Sequence, residues 1–172
     1  MKRISILSLI IACASSGVLC AQDNPFSADV KSSYNGIKST LTKAAEKMPE
    51  ESYSFKTVPA VRSYGEMIGH IADIQTLLCA TVKGEKKGPT AAGKTSKADL
   101  QAELKASFAY CDAVFDSMTD KDGATKVKMF GRDMTKLGVL NFVVVHDNEM
   151  YGNLVAFLRI KGIVPPSSEG RP

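Results

Sequence analysis

The stretch "KGEKKGPTAAGKT" (residues 83–95) decides how this chain can fold. It holds three glycines, four lysines and a proline, and no regular return of apolar residues, so it reads as a solvated loop. Upstream, Met67, His70, Ile71, Ile74, Leu77 and Leu78 recur at three- and four-residue steps, the mark of one buried helix face. That helix opens at Ser63-Tyr64-Gly65-Glu66, a Ser-x-x-Glu capping box in which each side chain satisfies a free backbone N–H. From Tyr64 to Val82 it spans about 28 Å at about 1.5 Å per residue. The loop can reach about 43 Å at about 3.3 Å per residue. The chain can therefore return along the whole helix before the next one begins, which favours a crossover connection over an up-down-up-down array.

Downstream of the loop, Ser96 is a good N-cap with Asp99 near the positive end of the helix dipole, and Leu100, Leu104, Phe108, Cys111, Phe115 and Met118 form the buried stripe. A first helix runs from Asn24-Pro25 to the stop at Pro49, burying Val30, Tyr34, Ile37, Leu41, Ala44 and Met48. Residues Thr119 to Gly123 end the third helix. Lys126 to Phe130 has the look of a short extended piece before a turn at Gly131. The last helix begins near Thr135, buries Val139, Val143, His146, Met150, Leu154 and Phe157, and ends at Gly162 before Pro165-Pro166. Four amphipathic helices without a strand pairing to rely on predict an all-α four-helix bundle with long crossover connections.

The chain of 172 residues, 44% hydrophobic and 23% charged, suits one globular domain and excludes a disordered or fibrous protein. Met1-Lys2-Arg3 followed by an apolar run to Leu19 reads as a signal peptide, with cleavage after Ala21. Ile10-Ile11-Ala12-Cys13 also resembles a lipoprotein processing site, the second choice. Residues 1–21 are thus read as targeting, 22–172 as the bundle domain, and the destination as the periplasm or the outside of the cell. No later segment is apolar enough to span a bilayer. Losing Lys2 and Arg3 lowers the formal charge from +4 to +2, which gives nucleic acid no support as a partner. The expected partner is a small molecule, with a homodimer left open. Of four cysteines, Cys79 and Cys111 remain in the mature chain: a disulfide if oxidised on neighbouring helices, or two buried thiols.

The two histidines each fall on a core-facing stripe, His70 on the second helix and His146 on the fourth. Facing imidazoles in a bundle core commonly build a metal site, and Met150 lies one turn from His146, a soft ligand better suited to copper(I) than to zinc. Two core histidines can equally be structural, each satisfied by a buried hydrogen-bond partner.

The segments "SYGEMIGHIAD" (63–73) and "VHDNEMYGNLVAFLRIKGIVPPSS" (145–168) resemble the DinB/YfiT-like superfamily, and Tyr53–Ser168 is similar to its exported bacterial members. The resemblance implies a crossover four-helix bundle with a three-histidine site, one ligand from the second helix and an H-x-x-x-H pair from the fourth. His70 and His146 match two of them, and Met150 stands where the third is expected. It further implies a divalent metal such as zinc or nickel, and activities that include thiol-dependent transferases, a maleylpyruvate isomerase type and hydrolases. The expectation is then a divalent-metal-dependent hydrolase or transferase with a degenerate His70, His146 and Met150 site, its metal affinity weakened by the methionine. The alternative is a non-enzymatic exported bundle that binds a small ligand or keeps a vestigial metal site. Asp73 and Glu149 are candidates for a substitute ligand or for orienting a histidine, and Asn148, Tyr151 and Asn153 for lining the same cleft. Gly84, Gly88 and Gly93 lack the preceding strand of a phosphate loop, and Gly93-Lys94-Thr95 reads as a chance tripeptide in a flexible loop.

Overall fold

The computed structural model describes residues 23–170; the expected signal peptide, its cleavage point, Cys13 and Cys20 lie outside them. Helix α1 runs Pro25–Lys47, with proline at its first turn, where a missing N–H costs nothing. Helix α2 is Tyr64–Lys83, and its capping box forms as the sequence predicts: Glu66 N donates to Ser63 Oγ at 3.2 Å and Ser63 N to Glu66 Oε2 at 2.6 Å. Helix α3 is Lys97–Ser117, capped by Ser96, whose Oγ accepts from Asp99 N at 3.1 Å. A one-turn helix, α4, follows at Asp120–Gly123, and the long helix α5 is Lys136–Ile160 with Thr135 as its N-cap. The four long helices form the expected bundle.

Side-chain pairs give the directions. Gln75 meets Ser107 and Cys79 meets Cys111, so α2 and α3 run parallel. His70 meets His146 and Tyr64 meets Phe157, so α2 and α5 are antiparallel. Lys38 pairs with Asp112 and Gln101 donates to the Ala45 carbonyl, so α1 and α3 are antiparallel. Around the bundle the order is α1, α3, α2, α5, and the chain reads up, down, down, up. The parallel α2 and α3 require the 84–96 connection to travel the length of the bundle, as its reach allows. Gly84, at φ 75°, closes α2 with Glu85 N donating to the Ala80 carbonyl at 2.9 Å.

Two glycines set how closely α3 and the crossover loop approach α2. A Cβ on Gly65 would stand 3.0 Å from Leu100 Cδ1 and 3.1 Å from the Tyr53 carbonyl oxygen. On Gly69 it would stand 3.1 Å from the Ala91 Cβ. The Cys79–Cys111 disulfide, with Cα atoms 5.6 Å apart, ties the same two helices at their other end. Of the two cysteine readings, the bridge is the one that forms. The end of α1 is fixed by two buried tyrosines: Tyr53 and Tyr64 donate to the carbonyls of Ala45 and Ala44, each at 2.7 Å.

The extended piece expected at Lys126–Phe130 forms, and it has a partner strand that the sequence reading did not identify. Lys126–Met129 (β1) and Arg132–Thr135 (β2) form an antiparallel hairpin around Phe130-Gly131. Both turn residues have positive φ, 48° and 76°, the conformation of a two-residue hairpin loop whose twist matches its strands. Phenylalanine is a poor residue for that conformation, so the turn was visible only as a glycine.

Candidate functional site

The antiparallel crossing of α2 and α5 brings the two histidines together. His70 Nε2 and His146 Nε2 are 3.3 Å apart, with the rings inclined at 63°. His146 is buried, and His70 is partly open to a hollow of about 270 Å³ bounded by Arg62, Gly69, Asp73 and the loop residues Ala91 to Lys94. Burial, then the Arg62 guanidinium and His146, hold the His70 pKa below its ordinary value of 6.5. The shift favours the neutral ring, which offers a lone pair. Met150, one helical turn beyond His146, is buried at 8% exposure. Among the described residues no group of three His, Cys, Asp or Glu side chains stands close enough together to hold a metal ion.

Both acidic candidates oppose the fall in the His70 pKa, and one of them has another occupation. Asp73 Oδ1 accepts from the backbone N–H groups of Thr90, at 2.7 Å, and Ala91, at 3.0 Å, so it pins the crossover loop against α2. Glu103 assists on the α3 side, accepting from Thr90 Oγ1 at 2.5 Å and pairing with Lys94. Glu149 is exposed. Of the three suggested cleft residues, Asn148 and Asn153 donate back to their own helix, to the carbonyls of Val144 and Glu149. Tyr151 exchanges hydrogen bonds with Ser167 and so holds the C-terminal tail.

Asp147 is the site residue that the sequence reading missed. It is fully buried, and its Oδ1 lies 3.6 Å from His146 Nδ1 with no hydrogen-bond partner for either atom. With the Gln75 amide turned to suit its neighbours, its nitrogen donates to Asp147 Oδ2 at 2.8 Å and its oxygen accepts from Ser107 Oγ at 3.1 Å. Burial raises the Asp147 pKa, and His146 opposes the rise. In the tautomer protonated at Nδ1, His146 turns its N–H toward this carboxyl group and its Nε2 lone pair toward His70. The signal was present in the periodicity: Leu140, Val144, Asp147, Tyr151, Leu154 and Leu158 follow one buried line on α5, with Asp147 in its middle.

A larger hollow, about 660 Å³ between α1 and α3, is lined by none of these residues.

A profile described as the DinB superfamily matches residues 37–152. Among solved structures, this fold is similar to a DinB-like protein from Bacillus cereus, with 22% identity, a TM-score of 0.70, and 81% of this chain and 95% of that one covered. A DinB-like protein from Bacillus subtilis follows at 23% identity and a TM-score of 0.67, covering 79% and 93%. A mutant of the mycothiol-dependent maleylpyruvate isomerase shares the fold at 11% identity and a TM-score of 0.62, covering 83% and 63%. No curated protein matches the sequence. With two thirds of its length inside the family profile and a crossover bundle shared with solved DinB-like proteins, this chain belongs to the DinB superfamily.

Proposed function

We propose that this protein binds a divalent metal, zinc first, between His70 and His146, and uses it in a hydrolase-type reaction. The observation that carries the reading is the spacing of the two ring nitrogens. Two imidazoles about 2.0–2.1 Å from a tetrahedral ion stand about 3.3–3.4 Å from each other, and the Nε2 atoms are 3.3 Å apart. The neutral state favoured at His70 and the carboxyl group of Asp147 behind His146 suit a pair of nitrogen ligands.

A bound zinc ion supplies Lewis acidity and lowers the pKa of a neighbouring water. The residues of this chain would hold it with two nitrogens and leave positions open. Met150 stands as a weak, soft third donor, which reduces zinc affinity relative to a three-histidine site and gives copper(I) a foothold. The Cys79–Cys111 bridge and the expected export argue for hydrolysis over transfer to a cytosolic thiol.

A second reading has one support of its own: 3.3 Å also admits a direct N–H···N bond between the rings, which would make the pair structural in a non-enzymatic bundle. Zinc titration by calorimetry, with elemental analysis of protein purified without chelator, separates the two. The metal reading expects one zinc per chain, at least about tenfold weaker in His70→Gln or His146→Gln and tighter in Met150→His. A wild-type protein that takes up no zinc, with Met150→His equally inert, would refute it.

A further inference from the structure

Phe130 gains little stability from where it is, one edge contact with a neighbouring ring set against a strained backbone. It sits at the tip of the hairpin with φ 48°, a conformation that a bulky side chain adopts at a cost and that asparagine or glycine adopts freely. Its ring is 60% exposed, so burial returns little of that cost. A residue that strains the backbone and shows an aromatic ring to solvent points to a use outside folding.

The ring's position suggests the use. Phe130 stands edge-to-face with Phe142 at 6.3 Å between centroids. Phe142, His146 and Met150 follow at four-residue steps along one line of α5, so Phe142 lies one turn before His146. Because α2 and α5 are antiparallel, the residue one turn beyond His70, Ile74, is at the same level. Phe142 and Ile74 are both only partly buried, and the hairpin packs against both helices. Val145, beside His146, is 52% exposed. The two-histidine centre therefore adjoins apolar side chains that the fold covers only in part, with an aromatic ring held beside Phe142 by a tight turn.

We propose that Phe130, Phe142 and Ile74 form the apolar subsite of this centre. The ligand is then a small molecule with an aryl or branched alkyl group next to the polar group that His70 and His146 engage. The proposal rests on the preceding reading for the polar end alone; the apolar end stands on the hairpin geometry.

The test uses benzohydroxamate and acetohydroxamate, which share a metal-binding head and differ in a phenyl against a methyl group. Each is titrated into tag-free protein, with and without zinc. The imidazole C–H resonances are followed by NMR, and the chain's two histidines are assigned through His70→Gln and His146→Gln. Benzohydroxamate should perturb these signals at about a tenfold lower concentration than acetohydroxamate, as burying a phenyl group allows. Phe130→Asn should bring the two concentrations together while leaving the melting temperature equal or higher, and Phe142→Leu should shrink the ratio.

An aryl preference in metal-free protein that takes up no zinc would uphold the subsite and remove the metal. Zinc uptake with no aryl preference would do the reverse. The proposal also falls if neither compound perturbs the histidines in any form, or if the preference survives Phe130→Asn. It falls equally if Phe130→Asn lowers the melting temperature and leaves the ratio unchanged, because the ring would then only fasten the hairpin.

Discussion

Asp147 and Gln75 occupy positions where a helical bundle ordinarily places leucine, and both are fully buried. Each is tolerated because the other is there: the amide joins the carboxyl group to Ser107, leaving only Asp147 Oδ1 and His146 Nδ1 without a partner. Asp147→Ala should cost about 1–3 kcal/mol, because it leaves the buried Gln75 nitrogen unsatisfied. The double change Asp147→Leu with Gln75→Leu should recover most of that loss, since the amide and the carboxyl group leave together and Ser107 keeps its bond to the Leu104 carbonyl, with His146 Nδ1 unpartnered as before. Urea denaturation of the Asp147→Leu and Gln75→Leu singles and of the double checks the coupling; strictly additive losses would mean that the pair does not act as a unit. Glu66 makes a second residue-level prediction. Its pKa is lowered by the Ser63 N–H and then by Lys56, so its contribution exists above the ordinary carboxylate value of 4.5 and disappears as pH falls through the lower folded value. Its side chain is 55% exposed and screened by solvent, so Glu66→Ala should lower stability by only about 0.5 kcal/mol at pH 7, and the gap from wild type should close on acidification below the 4.5 reference. Thermal melts over a pH series would show it.

At the scale of elements, the contact between α2 and α3 depends on small residues at one end and a covalent bond at the other. The disulfide limits the unfolded chain, so replacing Cys79 and Cys111 together with serine should cost about 2–4 kcal/mol. Part of this follows from putting two hydroxyls where the cysteines are wholly buried. A lower urea midpoint with a steeper slope is the expected result, since the freed unfolded chain exposes more surface. At the opposite end, Gly65→Ala brings a methyl group against the Tyr53 carbonyl, which cannot rotate away, and should destabilise the protein measurably in the same assay. The helix boundaries themselves were legible, because caps and stripes are local: Ser63, Ser96 and Thr135 each accept the backbone N–H that their position demands. The hairpin was not, because its pairing depends on two four-residue strands with little alternation and on a turn whose first residue breaks the usual chemistry.

For the whole molecule, the crossover between α2 and α3 makes a prediction that a simple array would not. Lys86 and Lys87 are exposed in the loop, whereas Asp73 anchors its later part at Thr90 and Ala91. Mild trypsin treatment should nick the chain there first. The products should stay together without reductant and separate with it, because Cys79 and Cys111 lie on either side of the cut. Gel analysis with and without reductant reads this directly; separation without reductant would contradict the bridge.

Composition, caps and apolar periodicity determined the four helices, and the loop's reach allowed their crossover order, because these depend on near neighbours and on chain length. The same stripes placed His70, His146 and Met150 on core-facing positions. Only the tertiary structure decided that the two imidazoles stand 3.3 Å apart, that Asp73 serves the loop, and that Asp147 is buried behind His146. The first depends on the antiparallel crossing of α2 over α5, which joins residues 76 positions apart and leaves no trace in the local order of either segment. The second depends on where the crossover loop returns along α2, and the third on α2 bringing Gln75 to a carboxyl group that periodicity alone marks only as facing inward.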